Sequence, residues 1–223
     1  MARLPRLALA GCAHYVRQTC VHGQALTVDA EDERLLLFAL RELALQHRVA
    51  IWAYALLVHE LQLVLCPQTD AGLGRFMQAL GRRYVQAFNR RHVRQGALWA
   101  GRYRATVVED GAWLLASMLQ VDILAEAAGR PGSAPHHAGQ RRDPLLAEPP
   151  AYWSLGNTPF ERELEWRRRL DAGIAPAAAT ALAQGLHGAW VIGSPAFAAR
   201  VAETLGRPTT PRRAGRPRRS DPG

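Results

Sequence analysis

"ALLVHELQLVLCP", residues 55–67, is the stretch on which the fold turns. Leu57, His59, Leu61, Leu63 and Leu65 alternate with Val58, Glu60, Gln62 and Val64, the period of a β-strand. Side chains two apart share a face, so Glu60 and Gln62 point the same way, one pleat apart, while His59 points the other way. An apolar strand that sets an acid beside an amide raises a question, because buried polar groups are costly when unpaired. Working outward, "HYVRQTCVH" (14–22) reads as a first strand and "VAIWAYALL" (49–57) as a second, with the quoted stretch holding a third. "DAEDERLLLFALRELALQHR" (29–48) reads as a helix capped by Asp29, with acids in its first turn. "DAGLGRFMQALGRRYVQAFNRRH" (70–92) is a second helix, with Leu73, Phe76, Met77, Leu80, Tyr84 and Phe88 on one stripe. "RATVVED" (104–110) supplies a fourth strand, and "GAWLLASMLQVDILAEAAG" (111–129) a third helix closed by Gly129. The order β-α-β-β-α-β plus a helix predicts an α+β, ferredoxin-like (RRM-like) antiparallel sheet with helices on one face and the other face free for a ligand.

The pattern also divides the chain. Residues 1–129 form the sheet domain, and 130–150, rich in Pro, Gly and Arg, read as a linker in which His136 and His137 are an isolated pair. Residues 151–206 read as a small helical extension: Thr158 and Ser194 are caps, Pro159 and Pro195 first helical positions, and Gly206 a stop. Residues 207–223 are dominated by Arg and Pro and predict a disordered tail.

The formal net charge of +9 points to a polyanionic partner, most often nucleic acid. All 28 basic residues are Arg, whose planar fork grips phosphate and stacks on bases. Three cysteines with no CxxC fit a reduced cytoplasm. No stretch is long enough to span a membrane. The "LAGC" ahead of Ala13 resembles a lipoprotein cleavage site, but the apolar run before it is broken by Pro5 and Arg6 and falls short of an export signal.

Charge is segregated as well as abundant. Between Asp70 and Glu109 there is no acid, while Arg75, Arg82, Arg83, Arg90, Arg91, Arg94, Arg102 and Arg104 all fall there. On the second helix Arg75, Arg82, Arg83 and Arg90 lie opposite the apolar stripe. A solvated face normally mixes signs, so this one reads as a nucleic-acid surface. Trp99 and Tyr103 interleave with it and could stack on bases, whereas Tyr84 reads as core. In the tail, Arg216 and Arg218 flank Pro217 in "AGRPRR", a pattern resembling an arm that enters A/T-rich minor grooves.

Taken together, "MARLPRLALAG", "HYVRQ", "LGRRYVQAFNRRH" and "GALWAGRYR" resemble the REP-associated tyrosine transposases, bacterial relatives of the single-tyrosine (HUH) insertion-sequence transposases. "WVIGSPAFAARVAETLGR" and "GRPRR" resemble the C-terminal extension of many members. The resemblance implies a ferredoxin-like fold that binds single-stranded hairpin DNA. It also implies a pair of strand histidines holding a divalent metal on the scissile phosphate, and a helix tyrosine that attacks it. Here the histidine positions fall on Glu60 and Gln62, and the tyrosine position on Gln120, an amide that cannot attack. Asp122 keeps an acid at its position, and no tyrosine lies between Tyr103 and Tyr152. Glu60 and Gln62 offer hard oxygens that suit weakly held Mg²⁺ or Mn²⁺, and no cofactor is certain.

Three functions compete at this level. The first is a transposase-type DNA-binding protein whose cleavage chemistry is lost. The second is an active metal-dependent nuclease in which His14 joins Glu60 and Gln62, and Tyr103 or Tyr152 replaces the nucleophile. The third is an RNA-binding sheet module, with Tyr15, Trp52 and Tyr54 as stacking aromatics on the open face. Nothing in the sequence separates a monomer from a dimer.

Overall fold

The quoted stretch proves to be a hairpin. In a computed structural model, which describes residues 8–210, β2 (Val49–Leu56) ends inside it and β3 (Glu60–Pro67) begins inside it. His59 sits in the turn between them and contacts the Gln24 carbonyl through Nδ1 at 2.9 Å. β1 (Ala13–Thr19), α1 (Ala30–Gln46), α2 (Gly72–Arg91), β4 (Arg104–Val108) and α3 (Ala112–Ala127) complete the β-α-β-β-α-β-α order. The four strands form one sheet in the order β2-β3-β1-β4, and every neighbouring pair is antiparallel. Asp29 caps α1 as expected, accepting from the Glu31 and Asp32 amides at 3.0 and 3.1 Å.

The sheet is covered on both faces, which corrects the expectation of one open face. Val16, Ile51, Leu61, Leu63 and Leu65 pack against Leu36 and Leu40 of α1 and Leu73, Phe76 and Leu80 of α2. On the opposite face Ala13, Tyr15, Ala53, Ala55 and Val64 pack against Leu114, Leu115, Met118 and Val121 of α3. The reason lies in α3 itself. Its sequence "LLASMLQVDILA" is apolar on all sides, and such a helix must be buried on all sides. A second layer therefore covers it: α5 (Pro150–Trp153), α6 (Pro159–Ala172) and α7 (Pro176–Gly188) bring in Tyr152, Trp166, Leu182 and Leu186.

The segment read as a linker is built into the fold. It contains α4 (Ala134–His137), and it covers the outer edge of β2. There the Leu56 amide donates to the Pro131 carbonyl and the Ala147 amide to that of Ile51, both at 2.9 Å. At the other edge, β4 exchanges hydrogen bonds with Ile192 at 2.8 and 2.9 Å, ahead of α8 (Pro195–Leu205). Both edges are thus paired, which removes the usual template for strand-to-strand association. Residues 207–210, read as the start of a disordered tail, are part of the fold, and the rest of that segment lies outside the described residues. Thr209 is buried, and its hydroxyl donates to the Ala198 carbonyl at 2.8 Å. Arg216 and Arg218 lie outside the described residues.

Candidate nucleic-acid interface

Glu60 and Gln62 stand on the sheet face that α3 covers, and they are joined to each other. The Gln62 amide donates to Glu60 Oε1. Gln62 Oε1 in turn accepts from the Tyr15 hydroxyl on β1. Arg17, two residues along β1 and cross-strand from Gln62, brings its Nε to 3.9 Å from Glu60 Oε2. The result is a chain of contacts, Arg17–Glu60–Gln62–Tyr15, running across the two central strands. A phenol, that of Tyr15, therefore rests against the acid–amide pair. Tyr15 is nearly fully buried. Burial first, and the Glu60 charge second, push its hydroxyl well above the ordinary phenol range, with Arg17 opposing. It stays protonated and points its proton at an amide oxygen, a poor state for a nucleophile.

These residues do not fit a divalent metal. Glu60 Oε1 and Gln62 Oε1 already accept hydrogen bonds, the second Glu60 oxygen faces an arginine, and the pair carries one formal charge. His14, the third ligand weighed from sequence, is one residue from Tyr15 and so points to the opposite face. There its Nδ1 contacts the Cys12 carbonyl at 2.9 Å, and its Nε2 accepts from the Leu9 amide at 3.2 Å. Burial lowers the His14 pKa to about 4, so the ring is neutral. Among the described residues no group of three His, Cys, Asp or Glu side chains is placed to hold a metal ion.

The other tyrosines weighed as nucleophiles are buried too. Tyr152, on α5, donates to the His137 carbonyl at 2.7 Å and packs against Trp166. Tyr103 is buried with the core beneath α1 and α2. Gln120 is half-buried on α3. Tyr15 and Trp52, read as stacking aromatics on an open sheet face, pack instead beneath α3, and Tyr54 lies in the opposite core.

Asp122, read as a remnant of the tyrosine helix, is the centre of a buried cluster. Its carboxylate accepts from His137 Nδ1 at 2.7 Å, from Trp166 Nε1 at 2.9 Å and from the Ser133 hydroxyl. His137 Nε2 meets the Trp52 carbonyl at 2.9 Å. Both partners of the ring are oxygen atoms, so the imidazole is tied at each nitrogen, to Asp122 on one side and to the β2 backbone on the other. Asp, His and Ser meet here without forming a nucleophilic triad, because the serine hydroxyl bonds the acid and not the imidazole.

The arginines sort into two groups. Arg75, Arg82, Arg83 and Arg90 are exposed along α2, and Arg83 lies over the Phe38 ring with its guanidinium 5.2 Å from the centroid. Arg102 is exposed in the loop before β4. Arg91 differs: it forms ion pairs with Asp29 at 2.7 Å and buried Asp32 at 2.6 Å, both from the start of α1. Arg94 is braced against Asn89 at 3.0 Å and lies over Phe88, and Arg104 donates to the His187 carbonyl at 2.6 Å. Arg91 thus drops out of the phosphate surface. The sign count within residues 71–108 omitted the acids that α1 brings across. Arg17 was missed, although strand alternation in "HYVRQ" places it on the Tyr15 face.

No protein-family model matches the chain, and neither does any curated protein. Among solved structures, a REP-associated tyrosine transposase bound to a REP hairpin aligns over 68% of this chain and 93% of its own, at 10% identity and a TM-score of 0.52. The chain shares that transposase's fold. A candidate transposase from Deinococcus radiodurans R1 aligns over 49% of this chain and 88% of its own, at 24% identity and a TM-score of 0.36.

Proposed function

We propose that this chain is a DNA-binding protein of the REP-associated tyrosine transposase family that recognises single-stranded hairpin DNA and no longer cleaves it. The observation that carries the binding half is the exposed α2 face, where Arg75, Arg82, Arg83 and Arg90 have no acid on their own helix. Shared fold supports it, since the solved transposase with this architecture is bound to a REP hairpin. The chemical half rests on residue types and surroundings. An amide stands at the tyrosine position, an acid–amide pair closed by Tyr15 and Arg17 stands at the metal position, and Tyr15 and Tyr152 are buried and spend their hydroxyl protons on other acceptors. On this reading the protein works in the cytoplasm, where its DNA is.

The test is a labelled single-stranded hairpin incubated with the protein and Mg²⁺ or Mn²⁺. Binding should weaken steeply with salt. Arg82→Ala with Arg83→Ala should flatten the log–log slope by about 1.4, two single-strand phosphate contacts' worth. No covalent protein–DNA adduct should appear on a denaturing gel. A metal-dependent adduct refutes the loss of cleavage, and a salt-independent affinity refutes the arginine surface.

A further inference from the structure

Two grooves flank the loop that leads into β4, and they share Gln18, Gly101, Arg102 and Tyr103. The first, about 520 Å³, is lined by Arg17, Arg102, Arg104 and His187, and by no acidic side chain. Arg17 and Arg104 are direct cross-strand partners, an arrangement that like charges disfavour unless an anion sits between them. Among the described residues Glu60, at 3.9 Å from Arg17, is the one carboxylate paired with either. The second groove, about 460 Å³, runs between the Trp99 indole and α2. Met77 lines it. Gly74 and Gly81, two turns apart on one helical face, hold it open. A Cβ on Gly74 would meet nothing within 4 Å, and one on Gly81 would touch the Trp99 ring at 3.6 Å. The Gln18 amide donates to the Gly101 carbonyl at 3.0 Å and fixes the loop between the two grooves.

We propose that these grooves together seat one unpaired nucleotide of single-stranded DNA, its phosphate on Arg17, Arg102 and Arg104 and its base in the slot beside Trp99. The argument is one of matched halves. A polar, acid-free, arginine-lined groove suits a phosphodiester, which an Arg fork can grip bidentately. The adjoining slot has an aromatic wall and a thioether, the surroundings that stack a base without reading its edge. A base held in a duplex cannot enter it, so the site selects an unpaired nucleotide. The inference rests on the DNA-binding reading and adds to it: it places a contact beside the exposed α2 face, in a slot whose rim includes Arg82 but whose walls, Trp99, Met77, Gly74 and Gly81, are separate from the arginine pair that Arg82→Ala and Arg83→Ala remove.

Gly74→Leu tests the slot without touching charge. The position is open and helical, so the leucine fills the groove and leaves the helix sound. The readout is fluorescence anisotropy with a labelled hairpin carrying an unpaired 5′ strand, with a fully paired duplex as reference. Gly74→Leu should weaken hairpin binding on the order of five- to a hundred-fold, the worth of one stacked base. Its salt slope and duplex affinity should not change, and Gly74→Ala should bind as the parent does. A second measurement needs no variant. A strand made abasic at its unpaired positions keeps every phosphate, should bind the parent protein with the same loss, and should lose nothing further on Gly74→Leu. Equal affinity of parent and Gly74→Leu for the intact hairpin, or of the parent for intact and abasic strands, overturns the slot while leaving the arginine surface standing. Failure of the parent to bind any DNA overturns both.

Discussion

Asp122→Asn should cost the protein a large fraction of its stability. The carboxylate is fully buried and accepts three hydrogen bonds, from His137, Trp166 and Ser133. The His137 ring is as buried as its partner and has two acceptors to satisfy. An amide keeps the shape and removes the charge, and it can turn an NH₂ toward a donor. Removing one partner of a buried, hydrogen-bonded acid–imidazole pair costs about 3–5 kcal/mol. Hydrogen bonds to a charged group are worth about 1.5–3 kcal/mol each, so losing charge assistance at Ser133 and Trp166 keeps the total at or above the lower end. Against a whole-domain stability of about 5–15 kcal/mol, that is a large fraction.

The assay is urea denaturation at neutral pH, comparing parent, Asp122→Asn, His137→Gln and the double variant. Asp122→Asn should lower the unfolding free energy by about 3–5 kcal/mol at unchanged m-value. The double variant should cost less than the sum of the singles, because the second substitution removes a group whose partner the first had already taken away. A loss below about 1 kcal/mol for Asp122→Asn, or strict additivity, refutes the Asp122–His137 coupling and the claim that it pins α4, α6 and the β2 edge to α3.

Two further expectations concern groups away from that cluster. His14 is neutral in the folded chain, with its pKa lowered to about 4, and titrates near 6.5 when unfolded, so the unfolded state binds the extra proton between those values. Stability should therefore fall as pH drops from 6.5 to 4, by about 3 kcal/mol, and this contribution should level off below 4. The difference between parent and His14→Gln urea curves across that window isolates it from His136, whose pKa burial also lowers. A parallel pair of curves contradicts it. Arg91→Ala should lower the melting temperature, because buried Asp32 loses its arginine, and should leave the salt slope of DNA binding unchanged. A flattened slope would return Arg91 to the phosphate surface.

The sheet and its first three helices were legible because each carries its period locally. Strand alternation in 55–67, the α2 stripe and the Asp29 cap need no tertiary information. The covering of the second face was legible too, in the uniformly apolar α3, but its consequence needs the partner layer. That layer includes α4 and α5, one turn each, and the Ala-rich α7, none of which was read as a helix. The linker reading failed because Pro and Gly mark turns whether or not the segment packs. His137 and Ser133 become structural only once Asp122 is brought to them. Tyr15 and Arg17 escaped for a different reason. Their meeting with Gln62 and Glu60 is set by the β1–β3 register, and those strands are separated by α1 and β2, so no local pattern encodes it.

That register bears on the proposed separation of binding from cleavage. On a sheet face covered by a helix, two polar side chains persist only if something satisfies them. A metal ion can do so for two imidazoles. An acid and an amide do so through a phenol on one side and a guanidinium on the other, with no ion. On the proposed reading the change is not reversible one residue at a time, because imidazoles at positions 60 and 62 would still face Gln120, which offers no nucleophile. The arginines of α2 share no contact with this chain of residues, and neither do Trp99, Gly74 and Gly81. Only Arg17 touches both the acid–amide pair and the proposed phosphate groove. A DNA surface so nearly independent of the chemical residues tolerates their replacement, and the proposed function requires that independence.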